Sequence, residues 1–523
     1  MKFTKCFLIV VVTFLVLATC KNPTDGLTVT INTNVSKSNI SLHFMDAVKM
    51  NQLNLDQIKL SIVGKNADKI YNADGTNSFI TSNGFISLIL EPGIIPTKDN
   101  PIKFTVIAEL NGYLNAVYPI TIEQEEDFTA EILMVNLSDL PVGVSIVKSS
   151  FNTNLNGELD TDWIVQIQPK TGKYETAKLK IKKGTIIQDE NGAALSGQVN
   201  VQMLHFDSRD SQSLRSFPGG FFVGNMVDQN NQDMEGGIFQ TAGFISLDMD
   251  CNGSLVKKFS QPIEVDVEVS SDLINPNSTQ KLKVGDTIPV WSLDPKDGTW
   301  KEEGNSIVNF DANSQKMVNT ISMKHLSYWN LDFYYRRCTY GSNITFDYNG
   351  PTLYHNVQLQ FKSPYLQYLN WYMRKQVPIS QGSNLMFYNG SAVEQARIVV
   401  FSNENGQIVG QTNYFNLCNN QVRCKVNYIP QKVIKVNVWG RCVNSKRIFR
   451  PTVWLYFMND LGWWESLGLM NNGQFETNKL KVGRTYTIGT AYGSKWYQNS
   501  VYIPSEKIES INWELPKSFP GCK

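Results

Sequence analysis

Histidine is scarce in this chain of 523 residues, which contains only four: His43, His205, His325 and His355. The cysteines form no Cys-x-x-Cys pair, so the usual ligand spacing of a structural zinc site is absent. The sequence also lacks a glycine-rich phosphate loop, a Gly-x-Ser-x-Gly elbow and a His-Glu-x-x-His motif. These absences remove the commonest signatures of zinc, nucleotide and hydrolase sites. We therefore expect no metal, no cofactor and no enzymatic activity.

An excess of charge of either sign is also missing. The 48 Lys and Arg residues nearly balance the 47 Asp and Glu residues, and removing residues 1–19 takes away only Lys2 and Lys5. Proteins that bind nucleic acids concentrate positive charge to neutralise phosphates. The balance gives no reason to expect DNA or RNA as a partner.

Long apolar runs are missing except near the N-terminus. There, Lys2 and Lys5 precede an apolar run from Cys6 to Leu17, which is shorter than the roughly 20 residues of a spanning helix. A basic start followed by a short apolar run predicts a signal peptide over residues 1–19. No second run of spanning length follows, so we expect the chain to be anchored to a membrane and not to span it.

The end of this segment, Leu17-Ala18-Thr19-Cys20, resembles the lipobox of bacterial lipoproteins. The resemblance implies that Cys20 receives diacylglycerol before cleavage, and that residues 20–26 are a lipid-anchored tether. Lys21 is not the acidic residue that retains many lipoproteins in the inner membrane, so the resemblance points to the outer membrane, at its cell-surface or periplasmic face. Ordinary cleavage without a lipid is the alternative interpretation.

Six cysteines remain after Cys6 leaves with the signal peptide and Cys20 is set aside: Cys251, Cys338, Cys418, Cys424, Cys442 and Cys522. An even number in an oxidising compartment favours disulfide bonds. Cys418 and Cys424 flank a turn-rich Asn-Asn-Gln stretch, so we expect these two to pair. Six cysteines allow about 15 connectivities, and the other pairings stay open.

Alternation of apolar and polar residues dominates the rest of the chain, as in Leu27 to Ile31 and Lys435 to Trp439. This period is typical of half-buried strands. Asn-Gly and Asp-Gly pairs lie between the strands, and they suit tight hairpins because both residues tolerate positive φ. The best helix candidate is the segment from Asp46 to Asp56. The sequence thus predicts an all-β protein of tandem β-sandwich domains.

Four sandwiches are expected after the tether. Ser138 to Val142, with Pro141 inside it, suggests a hinge after the first of them. The predicted units are an immunoglobulin-like or fibronectin-like sandwich at 27–137, a larger sandwich at 143–332, a third at 333–430 and a fourth at 432–523.

Two of these units resemble known families. Trp291-Ser292-Leu293-Asp294, Gly298-Thr299-Trp300 and the segment from His325 to Asp332 occur in that order, and together with upstream strands this part of the chain, about 180–332, resembles the extracellular domain of cartilage intermediate layer protein. The segment from Leu480 to Ile488 resembles the transthyretin-like sandwiches of the carboxypeptidase regulatory kind. Both resemblances imply a β-sandwich, and the first implies no agreed enzymatic activity.

The motif residues of the second unit have two interpretations. Large aromatic residues at strand spacing usually fill a core, so Trp291, Trp300 and Trp329 are expected to pack together, with His325 hydrogen-bonded beside them. The stretch His325-Leu326-Ser327 also resembles the cleavage motif of self-cleaving extracellular sandwiches. That resemblance implies His325 as base and Ser327 as nucleophile, with cleavage between Leu326 and Ser327. The cysteines that usually surround that motif are missing here.

Exposed aromatic residues are the other candidates for binding. In Trp371-Tyr372 and Trp463-Trp464, neighbouring strand residues point to opposite faces, so one of each pair is expected outside or in a loop, where it can stack on a sugar. Two faint metal candidates, Asn152 to Gly157 and His205-Phe206-Asp207, are better interpreted as a polar turn and a hydrogen-bonding pair. The sequence favours a non-enzymatic envelope lipoprotein that binds a protein or glycan ligand. The alternatives are the self-cleaving module and a glycan-binding accessory of an uptake system.

Overall fold

A computed structural model describes residues 29–32, 36, 38–168, 175–338, 340–362, 374–387, 395–402, 406–428, 433–443, 446–515 and 522. Strands dominate the described residues, so the prediction of an all-β fold of tandem sandwiches is confirmed. The structure also gives the order in which the strands pair, which alternation alone does not predict.

The first sandwich comprises two antiparallel-rich sheets, in the orders β3-β2-β6-β5 and β4-β7-β8, with β9 parallel to β2. Its core is formed by alternate side chains of both sheets, such as Ile40, Leu42 and Phe104. The strands in this part of the chain are β1 (Val29–Asn32), β2 (Asn39–Asp46), β3 (Met50–Asn54), β4 (Lys59–Val63), β5 (Ile70–Asn72), β6 (Phe85–Leu90), β7 (Ile102–Glu109), β8 (Ala116–Ile122) and β9 (Phe128–Met134), with a 3-10 turn at Ala67–Lys69.

The second sandwich is the largest and follows the strand path β10-β14-β18-β26-β23-β24-β25-β20-β12-β11. Its strands are β10 (Val144–Thr153), β11 (Trp163–Gln166), β12 (Ala177–Ile181), β13 (Ile187–Gln188), β14 (Gly197–Phe206), β15 (Phe222–Val223), β16 (Met226–Val227), β17 (Asp233–Met234), β18 (Gly237–Cys251), β19 (Ser254–Leu255), β20 (Lys258–Glu268), β21 (Ile274–Asn275), β22 (Gln280–Lys281), β23 (Thr287–Leu293), β24 (Trp300–Asp311), β25 (Lys316–His325) and β26 (Tyr328–Arg336). A short helix, α1 (Ser211–Arg215), is capped by the Asp210 side chain.

The third sandwich follows the path β29-β28-β31-β32-β34-β27-β30. Its strands are β27 (Ser342–Tyr348), β28 (Leu353–Phe361), β29 (Arg374–Ile379), β30 (Asn384–Phe387), β31 (Gln395–Phe401), β32 (Ile408–Gln411), β33 (Phe415–Asn416) and β34 (Gln421–Val426). Its buried residues are continuous with the core of the second sandwich.

The fourth sandwich packs the sheet β38-β37-β40-β41 against a second sheet that contains β35, β36, β39 and β42. Its strands are β35 (Ile434–Cys442), β36 (Arg447–Arg450), β37 (Val453–Met458), β38 (Trp464–Met470), β39 (Gln474–Thr477), β40 (Thr485–Tyr492), β41 (Lys495–Tyr502) and β42 (Lys507–Leu515). The N-terminal strand β1 lies parallel to β36 and so belongs to this sheet, although its sequence position suggested the first sandwich. The predicted domain boundaries themselves stay predictions.

The helix predicted from Asp46 to Asp56 is wrong. The Asp46 carboxylate instead accepts hydrogen bonds from the backbone N–H groups of Val48 and Lys49, both at 2.8 Å, which closes a turn. Met50 then has a φ of 49°, outside the right-handed helical region, and β3 runs back beside β2. A local side-chain bond to the backbone thus competes successfully with helix formation.

The predicted disulfide between Cys418 and Cys424 is also wrong. Cys418 pairs with Cys338, Cys442 pairs with Cys522, and Cys424 is a buried free thiol, as is Cys251. Cys424 lies inside β34 and its side chain is fully buried, whereas Cys418 precedes that strand beside the end of β26. Strand geometry decides the pairing, because Cys424 points into the core of the third sandwich while Cys418 meets residue 338 at a Cα separation of 5.1 Å.

Candidate functional site

The three motif tryptophans are buried in the second sandwich, but they do not share one face of the sheet. The strand register places Trp291 and Trp300 on one face and Trp329 on the other, where its ring lies 5.0 Å from that of His325. Trp291, Trp300 and Trp329 are all buried, and the ring of Phe239 packs 5.0 Å from the rings of both Trp291 and Trp300. The indole N–H of Trp291 donates to the backbone carbonyl of Asp332 at 3.2 Å. The prediction that the motif tryptophans are buried is confirmed. The expectation that all three pack together is wrong, because successive residues of a strand point to opposite faces and Trp291 pairs with Asn330, the neighbour of Trp329.

His325 and Ser327 have separate partners. The His325 Nε2 lies 3.2 Å from a carboxylate oxygen of Glu303, which also accepts a hydrogen bond from Ser292 at 2.8 Å. The Ser327 hydroxyl donates to the backbone carbonyl of Leu293. Self-cleavage requires the histidine to take the proton of that hydroxyl, and neither of these hydrogen bonds joins the two side chains. The self-cleaving module stays an alternative that the arrangement does not favour.

A buried carboxyl group, for which the sequence predicted no role, lies beside Trp291. Asp332 is fully buried, next to the side-chain amide of Asn330, which in turn accepts a hydrogen bond from Thr241 at 2.9 Å. Burial raises the pKa of Asp332 well above its ordinary value, because the charged form is poorly solvated there. The sequence did contain one indication of this group, because Asp332 ends the His-x-Ser-x-Trp-Asn-x-Asp stretch. In a strand, every second residue shares a face, so Asp332 lies on the same buried face as Asn330.

A second polar cluster lies where β14 leaves the second sandwich. His205 and Asp207 are both fully buried, and the two ring nitrogens of His205 find no hydrogen-bond partner within the part of the chain that the structure describes. Asp207 accepts from the backbone N–H of Glu175 at 3.0 Å and from the Arg209 guanidinium at 3.2 Å. Glu175 accepts from Ser208 and lies 3.4 Å from Arg209. The prediction that His205 and Asp207 form a hydrogen-bonding pair is therefore wrong, because Asp207 bonds instead to Glu175 and Arg209.

The pKa values in this cluster are displaced by burial. Desolvation, with a further contribution from the charge of Asp207, raises the pKa of Glu175 to about 8. Desolvation lowers the pKa of His205 to about 4. Both groups are therefore held in their neutral forms near neutral pH. Among the described residues, no group of three or more His, Cys, Asp or Glu side chains has the geometry of a metal site.

The pair Trp463-Trp464 lies at the start of β38. Trp464 is buried and its ring packs 4.8 Å from that of Trp496, whereas Trp463 is half-buried and precedes the strand. The Asn459 side chain accepts the backbone N–H groups of Leu461 and Trp463, which fixes the turn between β37 and β38. Trp371, Tyr372 and Cys20 lie outside the described residues.

This turn presents the clearest candidate binding surface among the described parts of the fourth sandwich. Leu461 is 68% exposed beside the half-buried Trp463. The Asp460 carboxylate lies 3.5 Å from the Arg484 guanidinium. The next residue, Thr485, pairs across the sheet with Tyr502, which is 59% exposed. We call Asp460, Leu461, Trp463 and Tyr502 the aromatic tip. An aromatic and aliphatic surface flanked by ionic groups suits contact with a sugar face or a protein side chain.

An aromatic layer joins the first and fourth sandwiches. Phe85 of β6 packs 4.1 Å from Tyr456 and 5.4 Å from Trp496, and the Ser41 hydroxyl is hydrogen-bonded to the Tyr456 hydroxyl. Trp454 and Trp464 belong to the same buried cluster. Trp464 is thus a packing residue of this layer, which leaves Trp463 as the member of the pair that is available for binding.

No helix of the described residues is long and apolar enough to cross a membrane. No protein-family model matches the chain, and no curated protein matches it. The resemblances to cartilage intermediate layer protein and to carboxypeptidase regulatory domains stay sequence-based predictions.

Similar solved structures include three bacterial proteins. The minor pilin of Streptococcus agalactiae is 12% identical over 34% of this chain and 95% of that chain, with a TM-score of 0.13. The Bacillus anthracis TIE protein is 8% identical over 71% of this chain and 57% of that chain, with a TM-score of 0.12. A fimbrial protein of Bacteroides ovatus is 10% identical over 34% of this chain and 50% of that chain, with a TM-score of 0.12. TM-scores this low carry no argument, and the β-sandwich fold rests on the strands described above.

Proposed function

We propose that this protein is a lipid-anchored protein of the bacterial cell envelope that works by binding and not by catalysis. The observation that carries the proposal is the combination of a signal-peptide pattern ending at Cys20 with two disulfides in the folded chain. Disulfides persist in oxidising compartments outside the cytoplasm. Export and a lipid at the first mature residue together place the sandwiches at a membrane surface, with the outer membrane as the expected site.

The aromatic tip is the proposed ligand surface. It combines the exposed Leu461 and the half-buried Trp463, on a turn whose backbone is fixed by Asn459, with the exposed Tyr502 at the end of β41. A rigid aromatic surface loses little conformational entropy on binding, which is why tryptophan and tyrosine dominate many recognition sites. A glycan or a protein surface is the expected ligand, and uptake of a glycan is one use that such a lipoprotein would serve.

The anchor is tested by Cys20→Ala. We expect the variant to remain uncleaved or to become soluble, because the acyl acceptor is gone, and partition of cell extracts between detergent and aqueous phases measures this. The matched control is Cys251→Ala, which removes a buried thiol elsewhere and leaves partition unchanged. Equal recovery of Cys20→Ala and parent in the detergent phase, at the same mature mass, would remove the anchor from the proposal.

The ligand surface is tested on a glycan array with Trp463→Ala. We expect at least about a tenfold loss of signal, since removing a stacking aromatic residue costs on the order of 2 kcal/mol at a binding hot spot. Leu255→Ala, which alters a 62%-exposed residue of the second sandwich, is the control and keeps the parent signal. A parent protein that retains no sugar, or a Trp463→Ala variant with unchanged binding, counts against this surface as a glycan site.

A further inference from the structure

The start of the folded chain is fastened to the fourth sandwich. β1 pairs with β36 in parallel, with Val29 opposite Arg447 and Asn32 opposite Arg450. Because the pairing is parallel, the chain enters at the end of the sheet where β35 and β36 are joined. Only eight residues separate Cys20 from Val29, and an extended chain covers at most about 3.6 Å per residue. A lipid on Cys20 therefore keeps that end of the fourth sandwich within about 30 Å of the membrane.

The surface at this end is basic. Arg441, Lys446 and Arg447 are exposed, and Glu514 lies beside Arg441 in the sheet. We call Trp439, Arg441, Val443, Lys446 and Arg447 the basic hairpin.

Apolar groups accompany the charges of the basic hairpin. Val443 is 55% exposed, and the Arg441 guanidinium lies 5.8 Å above the ring centre of the half-buried Trp439. Tryptophan and arginine side chains with an apolar body and a polar end are typical of membrane–water interfaces. The composition thus matches a surface that rests on phospholipid headgroups, where basic residues neutralise phosphate charge.

The aromatic tip lies at the opposite end of the same sandwich. Five residues after Tyr502, Lys507 pairs with Lys435, so the aromatic tip lies near the start of β35. The basic hairpin closes the other end of β35, and nine strand residues span about 30 Å. A fourth sandwich that rests on the membrane through the basic hairpin therefore points the aromatic tip away from it.

We propose that the basic hairpin is a membrane-contact site that binds anionic phospholipid headgroups and orients the fourth sandwich on the bilayer. The orientation rests on the lipid anchor proposed above, because the short tether brings the hairpin to the surface. The headgroup affinity of the hairpin is a property of the folded chain and is measurable without the acyl groups.

The test uses the mature chain with Cys20→Ser, so that no lipid is attached, and vesicles with about 30% phosphatidylglycerol in phosphatidylcholine. In a flotation assay at low salt, we expect the parent to bind these vesicles and to lose binding as salt rises. The variant Arg441→Gln/Lys446→Gln/Arg447→Gln is expected to bind about a hundredfold more weakly, since each basic residue near an anionic surface contributes about fivefold. The control Lys183→Gln/Lys283→Gln/Lys324→Gln loses the same charge from exposed positions of the second sandwich and keeps parent binding.

The headgroup site is overturned if the parent does not bind the vesicles or if its binding does not depend on salt. It is also overturned if both triple variants lose binding equally. Thermal unfolding of each variant reports that the fold is intact, and a hairpin variant that unfolds is replaced by the single change Arg441→Gln, expected to lose about fivefold. Lipidation is measured separately, from the mass of the N-terminus of the membrane-extracted protein. A bare terminus with intact vesicle binding would remove the anchor and leave the headgroup site standing.

Discussion

Two ionisable side chains inside the second sandwich make stability depend on pH in opposite directions. The pKa of Glu175 is raised to about 8 from 4.5, so the folded chain holds a proton there that the unfolded chain releases. Stability from this group is present below pH 4.5 and is lost as the pH rises toward 8. His205 has its pKa lowered from 6.5 to about 4, so its contribution is present above pH 6.5 and is lost as the pH falls toward 4.

Replacing Glu175 by Gln is expected to remove the loss at high pH, because the amide stays neutral and keeps a similar shape. The free energy of unfolding of Glu175→Gln, relative to that of the parent, should therefore increase between pH 5 and pH 8. Urea denaturation at both pH values measures it, with the exposed Glu109→Gln as the control. A relative stability that decreases or does not change over this range would contradict the burial argument.

The cysteine assignments give a second prediction for single residues. Cys418→Ser should free Cys338 and so add one reactive thiol in denatured, unreduced protein, whereas Cys424→Ser should remove one. Cys418→Ser should also lower the free energy of unfolding by about 2–5 kcal/mol, since the lost bond closes a loop of 80 residues. Thiol titration with a chromogenic disulfide checks the counts. A gain of one thiol in both variants would restore the Cys418–Cys424 pairing.

At the scale of elements, alternation was sufficient to predict strands but not their partners. The Asn-Gly turn at Asn83 and Gly84 has positive φ at both residues, as the hairpin prediction requires. At Asp297-Gly298 only the glycine has positive φ. The pairing of β1 with β36 joins residues more than 400 positions apart, and no local pattern in either strand encodes such a contact.

In the candidate sites, too, the sequence predicted single residues but not the contacts between distant ones. Inward aromatic positions such as Trp291 follow from strand period, and the structure buries them. The sequence predicted only part of the aromatic tip. Trp463 was a candidate from its sequence, whereas Tyr502 reaches this end of the sandwich through the pairing of β40 with β41. The network around Glu175 needed a tertiary contact with Asp207, which no spacing rule predicts.

The aromatic layer between the first and fourth sandwiches supplies the prediction for elements. Phe85→Ala should lower the free energy of unfolding by about 3–5 kcal/mol, because it empties a buried site between Tyr456 and Trp496. Chemical denaturation followed by tryptophan fluorescence measures the change, with Leu155→Ala at a fully exposed position as the control. A loss below about 1 kcal/mol would show that the two sandwiches do not depend on this layer.

At the scale of the whole molecule, the first sandwich contacts each of the others. The Tyr328 hydroxyl of the second sandwich donates to the carbonyl of Asn115 at 3.0 Å. The Lys98 ammonium lies 4.9 Å from the ring centre of Tyr340, at the start of the third sandwich, and the aromatic layer joins the fourth. The chain therefore folds back on itself, so that its last sandwich and its first strand lie together.

This arrangement changes what an anchor at the N-terminus does. In an open string, the fourth sandwich would be the part farthest from the membrane. With β1 in its sheet, the fourth sandwich is instead the part that the proposed tether would enter first. The proposed membrane contact and the proposed ligand surface then occupy two ends of one sandwich.

The mass of the intact protein extracted from cell membranes tests whether a lipid holds the chain at the envelope. A lipid-anchored protein should begin at Cys20 and exceed the mass of residues 20–523 by a diacylglycerol group, with or without a further acyl chain. A mature chain that begins at another residue, or at Cys20 with no added mass, would contradict the central claim that a lipid holds these sandwiches at the cell envelope.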